Sequence, residues 1–84
     1  MSYIVLSKKR CLPCRNLHDL LQVMELDWPV IWHHDDPSFF DKLGIMSVPT
    51  LIKEVGDNEY KIMAIGMPEI KNHIDNINTN EEEE

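Results

Sequence analysis

Cys11-Leu12-Pro13-Cys14 constrains this chain more than any other segment. It holds both cysteines of the 84 residues and follows a short apolar run, Tyr3 to Leu6, through the basic loop Ser7-Lys8-Lys9-Arg10. A helix opening at Cys11 or Pro13 is expected, since proline is well tolerated in a first turn. One helical turn then brings both sulfurs to the same end of the helix. There they can close a small, reducible ring. The free N–H groups of that end favour negative charge on the first sulfur.

Leu17, Leu20, Leu21 and Met24 recur at helical spacing and give this helix one apolar face, ending before Asp27. Val30-Ile31-Trp32, flanked by breakers, reads as a second strand. Asp36-Pro37 marks a helix start, with Asp as N-cap and Pro at the first helical position. Phe39, Phe40 and Leu43 supply its apolar contacts, and Gly44 its C-cap. Thr50 to Val55 and Tyr60 to Ile65 read as a hairpin around Gly56-Asp57-Asn58. Ile70, Ile74 and Ile77 mark a last helix, with Pro68 in its first turn.

The order β-α-β-α-β-β-α predicts an α/β fold with a four-stranded mixed sheet. Its first two strands are joined by a helical crossover and so should be parallel. The hairpin strands should be antiparallel, and helices should cover both faces. The expected domain is 1–78, with 79–84 as an acidic disordered tail.

Charge narrows the function classes. The chain carries a net charge of −7, which argues against binding nucleic acid. Glu81 to Glu84 contribute four of those charges, so the body is only mildly acidic. No stretch approaches the roughly 18 apolar residues of a membrane span. The N-terminus lacks the basic start and long apolar run of a signal peptide. A cytoplasmic monomer is expected, and in that compartment a cysteine pair is more often catalytic or metal-binding than a structural bridge.

Within the motif, Cys11 is the better nucleophile. It lies nearer the helix end, and Lys8, Lys9 and Arg10 beside it favour the thiolate. Cys14, one turn on, should be more buried and suits a resolving thiol. A lone C-x-x-C also serves zinc and iron sites. His18, four residues after Cys14 on the same helical face, would supply a third ligand in such a site, or one of His33 and His34 would. Adjacent strand residues point to opposite faces, so at most one of that pair joins easily. All three read better as ordinary surface or half-buried histidines. Trp28, Trp32, Phe39 and Phe40 read as core.

A second motif carries more weight. Gly44-Ile45-Met46-Ser47-Val48-Pro49-Thr50-Leu51-Ile52 resembles the thioredoxin segment that contains the cis-proline. With C-x-P-C after the first strand and the same element order, the chain from Tyr3 to Ile77 is similar to the thioredoxin superfamily, in its short glutaredoxin-sized form. The resemblance implies a thioredoxin-like fold and a dithiol–disulfide oxidoreductase that reduces protein disulfides. Cys11 would attack and Cys14 would resolve. Pro49 would be the cis-proline facing them. Val48 would offer its backbone to an extended substrate strand. Leu12, Pro13 and Gly66 would complete the substrate surface. No bound cofactor or metal is implied. Electrons would come from a thioredoxin-reductase-type donor and NADPH, or from glutathione.

The chain also departs from the family. Arg10 and Leu12 stand where thioredoxins usually place Trp and Gly. Tyr3 to Leu6 offers no carboxylate for the buried acid that helps move the resolving cysteine's proton. Gly66-Met67-Pro68-Glu69 lacks the second glycine with which glutaredoxins hold glutathione, and Glu69 is explained by its place in a first helical turn. The reductase-type donor is therefore favoured. A small metal carrier with C-x-x-C, a glutathione-dependent glutaredoxin and a non-catalytic adaptor using the Val48-Pro49 edge are the alternatives.

Overall fold

Alternation along the first strand decides how the layers assemble. In a computed structural model that describes the backbone of residues 2–83 and the side chains of residues 2–77, β1 spans Tyr3–Ser7. Tyr3 and Val5 face one side of the sheet, and Ile4 and Leu6 face the other, as a period of two requires. The first side packs on Leu17 and Leu21 of α1 (Leu12–Val23) and on Ile70 and Ile74 of α3 (Met67–Glu83). The second packs on Phe40 of α2 (Pro37–Leu43), with Ile52 beside it.

β2 (Val30–Trp32) lies parallel to β1, with Ser7 opposite Trp32. β3 (Thr50–Gly56) pairs antiparallel with β1 on its other side, and β4 (Glu59–Ile65) pairs antiparallel with β3. The order across the sheet is β2-β1-β3-β4. The molecule is thus a mixed α/β protein: a four-stranded mixed sheet with α1 and α3 on one face and α2 on the other.

The caps explain where the helices begin and end. Asp36 takes the N–H of Phe39 at 3.3 Å, and Ser38 Oγ donates to the same carboxylate oxygen at 3.0 Å. Gly44, at φ +67°, ends α2: its N–H reaches the Asp41 carbonyl, and that of Ile45 reaches Phe40. The end of α1 differs from expectation. The helix stops at Val23, and Glu25, not a glycine, takes the left-handed turn at φ +56°. The N–H of Glu25 bonds the Gln22 carbonyl, and that of Leu26 bonds Leu21. This is the same two-bond closure.

Strand limits move by a residue: the hairpin turn is Asp57-Asn58, with Gly56 and Glu59 paired at its base. Helix α3 runs to Glu83, past the boundary expected at 78. The side chains of 78–84, where the acidic tail is expected, lie outside the described residues. Among the described residues no helix is long and apolar enough to cross a membrane.

Candidate functional site

The cysteine pair sits where β1 hands over to α1. Cys11 is the N-cap of α1, with an extended backbone at φ −117° and ψ 105°. Its Sγ accepts the N–H of Cys14 at 3.2 Å. The sulfur therefore occupies the position in which a cap oxygen normally satisfies a free helix donor. The same N–H supports a thiolate there once the pair is reduced. Cys14 faces inward and is 1% exposed, whereas Cys11 is half-buried. The two are joined as a disulfide, with Cα atoms 5.2 Å apart. Leu12 and Pro13 between them are exposed, Leu12 to 67%.

Across from the pair stands the loop before β3. The Val48–Pro49 peptide is cis, and the Val48 carbonyl oxygen lies 4.0 Å from Cys11 Sγ. Pro49 is buried. Its carbonyl accepts the Gly66 N–H at 2.8 Å, which ties the end of β4 to this loop. Gly66 adopts φ +86°, a conformation that L side chains resist. Thr50 Oγ1 donates to the Ser47 carbonyl at 2.7 Å and closes the loop from the other side. The structure thus brings Cys11, Cys14, Val48, Pro49 and Gly66 into one region. Glu69 is engaged with the end of β4, its carboxylate taking the Ile65 N–H at 3.5 Å.

A cleft of about 540 Å³ opens beside the pair. Both cysteines and Leu12 line it, with Trp32 and His18 on the apolar side and Lys8, Lys9, Arg10 and Arg15 around it. Trp32, expected in the core, is only half-buried and lines this cleft. The reason is register. Trp32 pairs with Ser7 at the end of both strands, on the face of the sheet that α1 covers. At that edge there is no further helix turn to bury the indole. Trp28 and Phe39 are half-buried against the core, and Phe40 is buried.

His18 is held from two sides. Its Nε2 shares a 3.2 Å hydrogen bond with Ser7 Oγ, and its ring lies 5.2 Å from the Trp32 indole, centroid to centroid. Burial pushes the His18 pKa below the ordinary 6.5, against the opposing field of Asp19. The ring is therefore neutral at pH 7. Ser7 is fully buried and stands on β1, the strand in which the sequence shows no carboxylate. The roles of Ser7, Trp32 and Arg15 are missing from the sequence reading. Strand alternation carries the signal for two of them: Tyr3, Val5 and Ser7 share a face, as do Val30 and Trp32.

His33 and His34 fall in the turn after β2, where His33 packs edge-on to Phe40 and His34 lies 3.4 Å from Asp35. Among the described residues no group of three or more His, Cys, Asp and Glu is placed to hold a metal ion. Compared with known proteins, no protein-family model matches this chain, and no curated protein matches it.

Proposed function

We propose that this chain is a small thioredoxin-like dithiol–disulfide oxidoreductase that reduces protein disulfides. The observation that carries the reading is the asymmetry of the pair. Cys11 is half-buried at the N-cap beside the Val48 carbonyl, and Cys14 is buried within bonding reach of it. In the reduced protein, the Cys11 thiolate attacks one sulfur of a substrate disulfide. A Cys11–substrate bond forms and the other substrate sulfur leaves as a thiolate. Cys14 then loses its proton and attacks Cys11 Sγ. The Cys11–Cys14 disulfide forms and the second substrate thiolate leaves. Two electrons pass from the dithiol to the substrate, and the thiolates take protons from solvent.

The Cys14 proton needs an acceptor. His18 lies one helical turn from Cys14, and such neighbours have Cβ atoms about 5–6 Å apart. That distance is spanned directly or through one water. In the tautomer that donates Nε2–H to Ser7 Oγ, the imidazole keeps the Nδ1 lone pair to accept. Ser7 and His18 thus take the place of a carboxylate on β1. The exposed Leu12 and Pro13 and the Val48 backbone, held in place by the buried cis Pro49, form the surface against which a substrate strand lies.

Electrons return from a thioredoxin-reductase-type flavoprotein using NADPH in preference to glutathione. The two donors are compared by following reduction of a protein disulfide with each. Turnover with the flavoprotein supports both the activity and the donor. Turnover with glutathione alone moves the chain to the glutaredoxin type. No reduction with either donor, nor by the chemically reduced protein in a single turnover, overturns the activity.

A further inference from the structure

The distribution of charge around the cleft does not follow from the balance of the chain. Eight lysines and arginines stand against 15 aspartates and glutamates. Half of those cations, Lys8, Lys9, Arg10 and Arg15, line this one cleft, and among the described residues no carboxylate lines it. All four are exposed. Lys8, Lys9 and Arg10 come from the loop between β1 and α1, and Arg15 from the first turn of α1. Arg15 therefore sits at the positive end of the helix, where the macrodipole favours an acid. That position weakens the case for a role in helix stability and leaves Arg15 free to act on something outside the fold.

A second recess, of about 210 Å³, is formed by the chain around the Val48-Pro49 loop and by β4. Ser47 and Thr50, the residues that flank Val48 and Pro49, line it together with Met46, Ile62 and Ile65. These last three are exposed apolar side chains, Met46 to 95%. The sulfur pair lines the basic cleft, and the chain on either side of Val48 and Pro49 lines the apolar recess. A small anion occupies only the first. An extended polypeptide crossing the Val48 edge meets both.

We infer that the substrate is a disulfide in an acidic polypeptide segment, with carboxylates near the cystine that the Lys8, Lys9, Arg10 and Arg15 rim attracts. This rests on the oxidoreductase reading and adds the chemical class of its substrate. The electron flow is the one given above: the reduced Cys11–Cys14 pair is oxidised and the substrate cystine is reduced to two thiols. The cationic rim lowers the cost of bringing an anionic segment to the Cys11 thiolate. It acts mainly on the encounter rate, and so it is sensitive to salt.

The test uses the full chain, reduced beforehand, in single-turnover reactions that need no electron donor. Three cystine-bridged peptides share one core and carry acidic, neutral or basic flanks; oxidised glutathione is a fourth substrate. Each rate is divided by the rate with tris(3-hydroxypropyl)phosphine at the same salt, a reductant that attacks as a neutral phosphine rather than as a thiolate, to remove intrinsic differences between the disulfides. At low salt the acidic peptide should exceed the neutral one by about tenfold, with the basic peptide slowest. At about 1 M salt, where screening falls to about 3 Å, the preference should shrink to within about twofold.

Arg15→Glu should abolish most of the acidic-to-neutral ratio, and Lys9→Glu likewise. The ratio is read within each variant, so an effect on Cys11 itself cancels. Lys71→Glu makes the same change in net charge on α3, away from the cleft, and should leave the ratio intact. Equal rates for the three peptides overturn the inference while leaving the oxidoreductase reading standing. So does a preference for oxidised glutathione over all of them. Reduction of none of the four substrates removes both.

Discussion

Ser7 Oγ and His18 Nε2 lie 3.2 Å apart, joining the end of β1 to the second turn of α1. Burial disfavours the imidazolium, so the ring is a base at neutral pH and loses that capacity below the ordinary 6.5. The single-turnover rate should therefore rise with pH through a limb lying below 6.5, as His18 becomes free to take the Cys14 proton. His18→Asn should remove that limb and slow resolution on the order of 10²-fold, the low end for general base catalysis. Ser7→Ala should keep the limb but shift its midpoint, which a purely structural role would not do. A pH–rate profile of His18→Asn that overlays the wild type would end the proton-acceptor role.

The same shift has a consequence for stability. A histidine whose folded pKa lies below its unfolded value of about 6.5 binds fewer protons folded than unfolded in the window between them. Stability is therefore fully present above pH 6.5 and is lost as pH falls through the folded pKa of His18. Urea denaturation of the oxidised protein should show wild type losing stability relative to His18→Gln between pH 7 and pH 5. A difference that stays constant across that range would mean that the imidazole is not desolvated.

The two cysteines should fail in different ways. Cys11→Ser removes the nucleophile and should abolish disulfide reduction, because Cys14 is buried and cannot meet a substrate. Cys14→Ser keeps the attacking sulfur at the helix end and should accumulate mixed disulfides, visible by mass spectrometry as covalent adducts on Cys11. Adducts on Cys14 in the Cys11→Ser protein, with none in the converse variant, would reverse the roles.

Much of this site is legible in the sequence because it depends on local signals. Cys11-Leu12-Pro13-Cys14 announces both the pair and the helix start, and Asp36-Pro37 and Gly44 bracket α2 at the residues observed. The Ser7–His18–Trp32 group is different. It is assembled by β1–β2 register and by α1 crossing above it, and none of its members is unusual alone. The cationic rim is only partly local: Lys8, Lys9 and Arg10 form a visible run, but Arg15 joins them through the helix. The end of α1 is hidden for another reason. Its left-handed residue is Glu25, where a glycine would have announced it.

That contrast gives a paired stability test. Gly44→Ala adds a Cβ that meets nothing within 4 Å, so its cost is purely that of the left-handed backbone at φ +67°. About 1 kcal/mol of destabilisation is expected. Glu25→Gly relieves the same strain at φ +56° and should stabilise by about 0.5–1 kcal/mol, after the entropy glycine adds to the unfolded chain. Both are read from urea midpoints. Changes of the same sign in the two variants would show that backbone conformation is not what sets the ends of these helices.

Gly66 joins stability to the site. Its φ of +86° turns the chain from β4 into α3 while its N–H holds the Pro49 carbonyl at 2.8 Å. A Cβ there would meet only Pro68 Cδ, at 3.9 Å, so Gly66→Ala is opposed by conformation rather than by crowding. Relaxing that φ pulls the donor away from Pro49, and Val48 is carried on the same loop. We expect a loss of about 1–2 kcal/mol in stability. Substrate binding should weaken with it: KM for a peptide disulfide should rise several-fold, while the rate at saturation, set by the sulfurs, stays within about twofold. A fall in the saturated rate with KM unchanged would show that the tie between Gly66 and Pro49 serves the cysteines rather than the substrate strand.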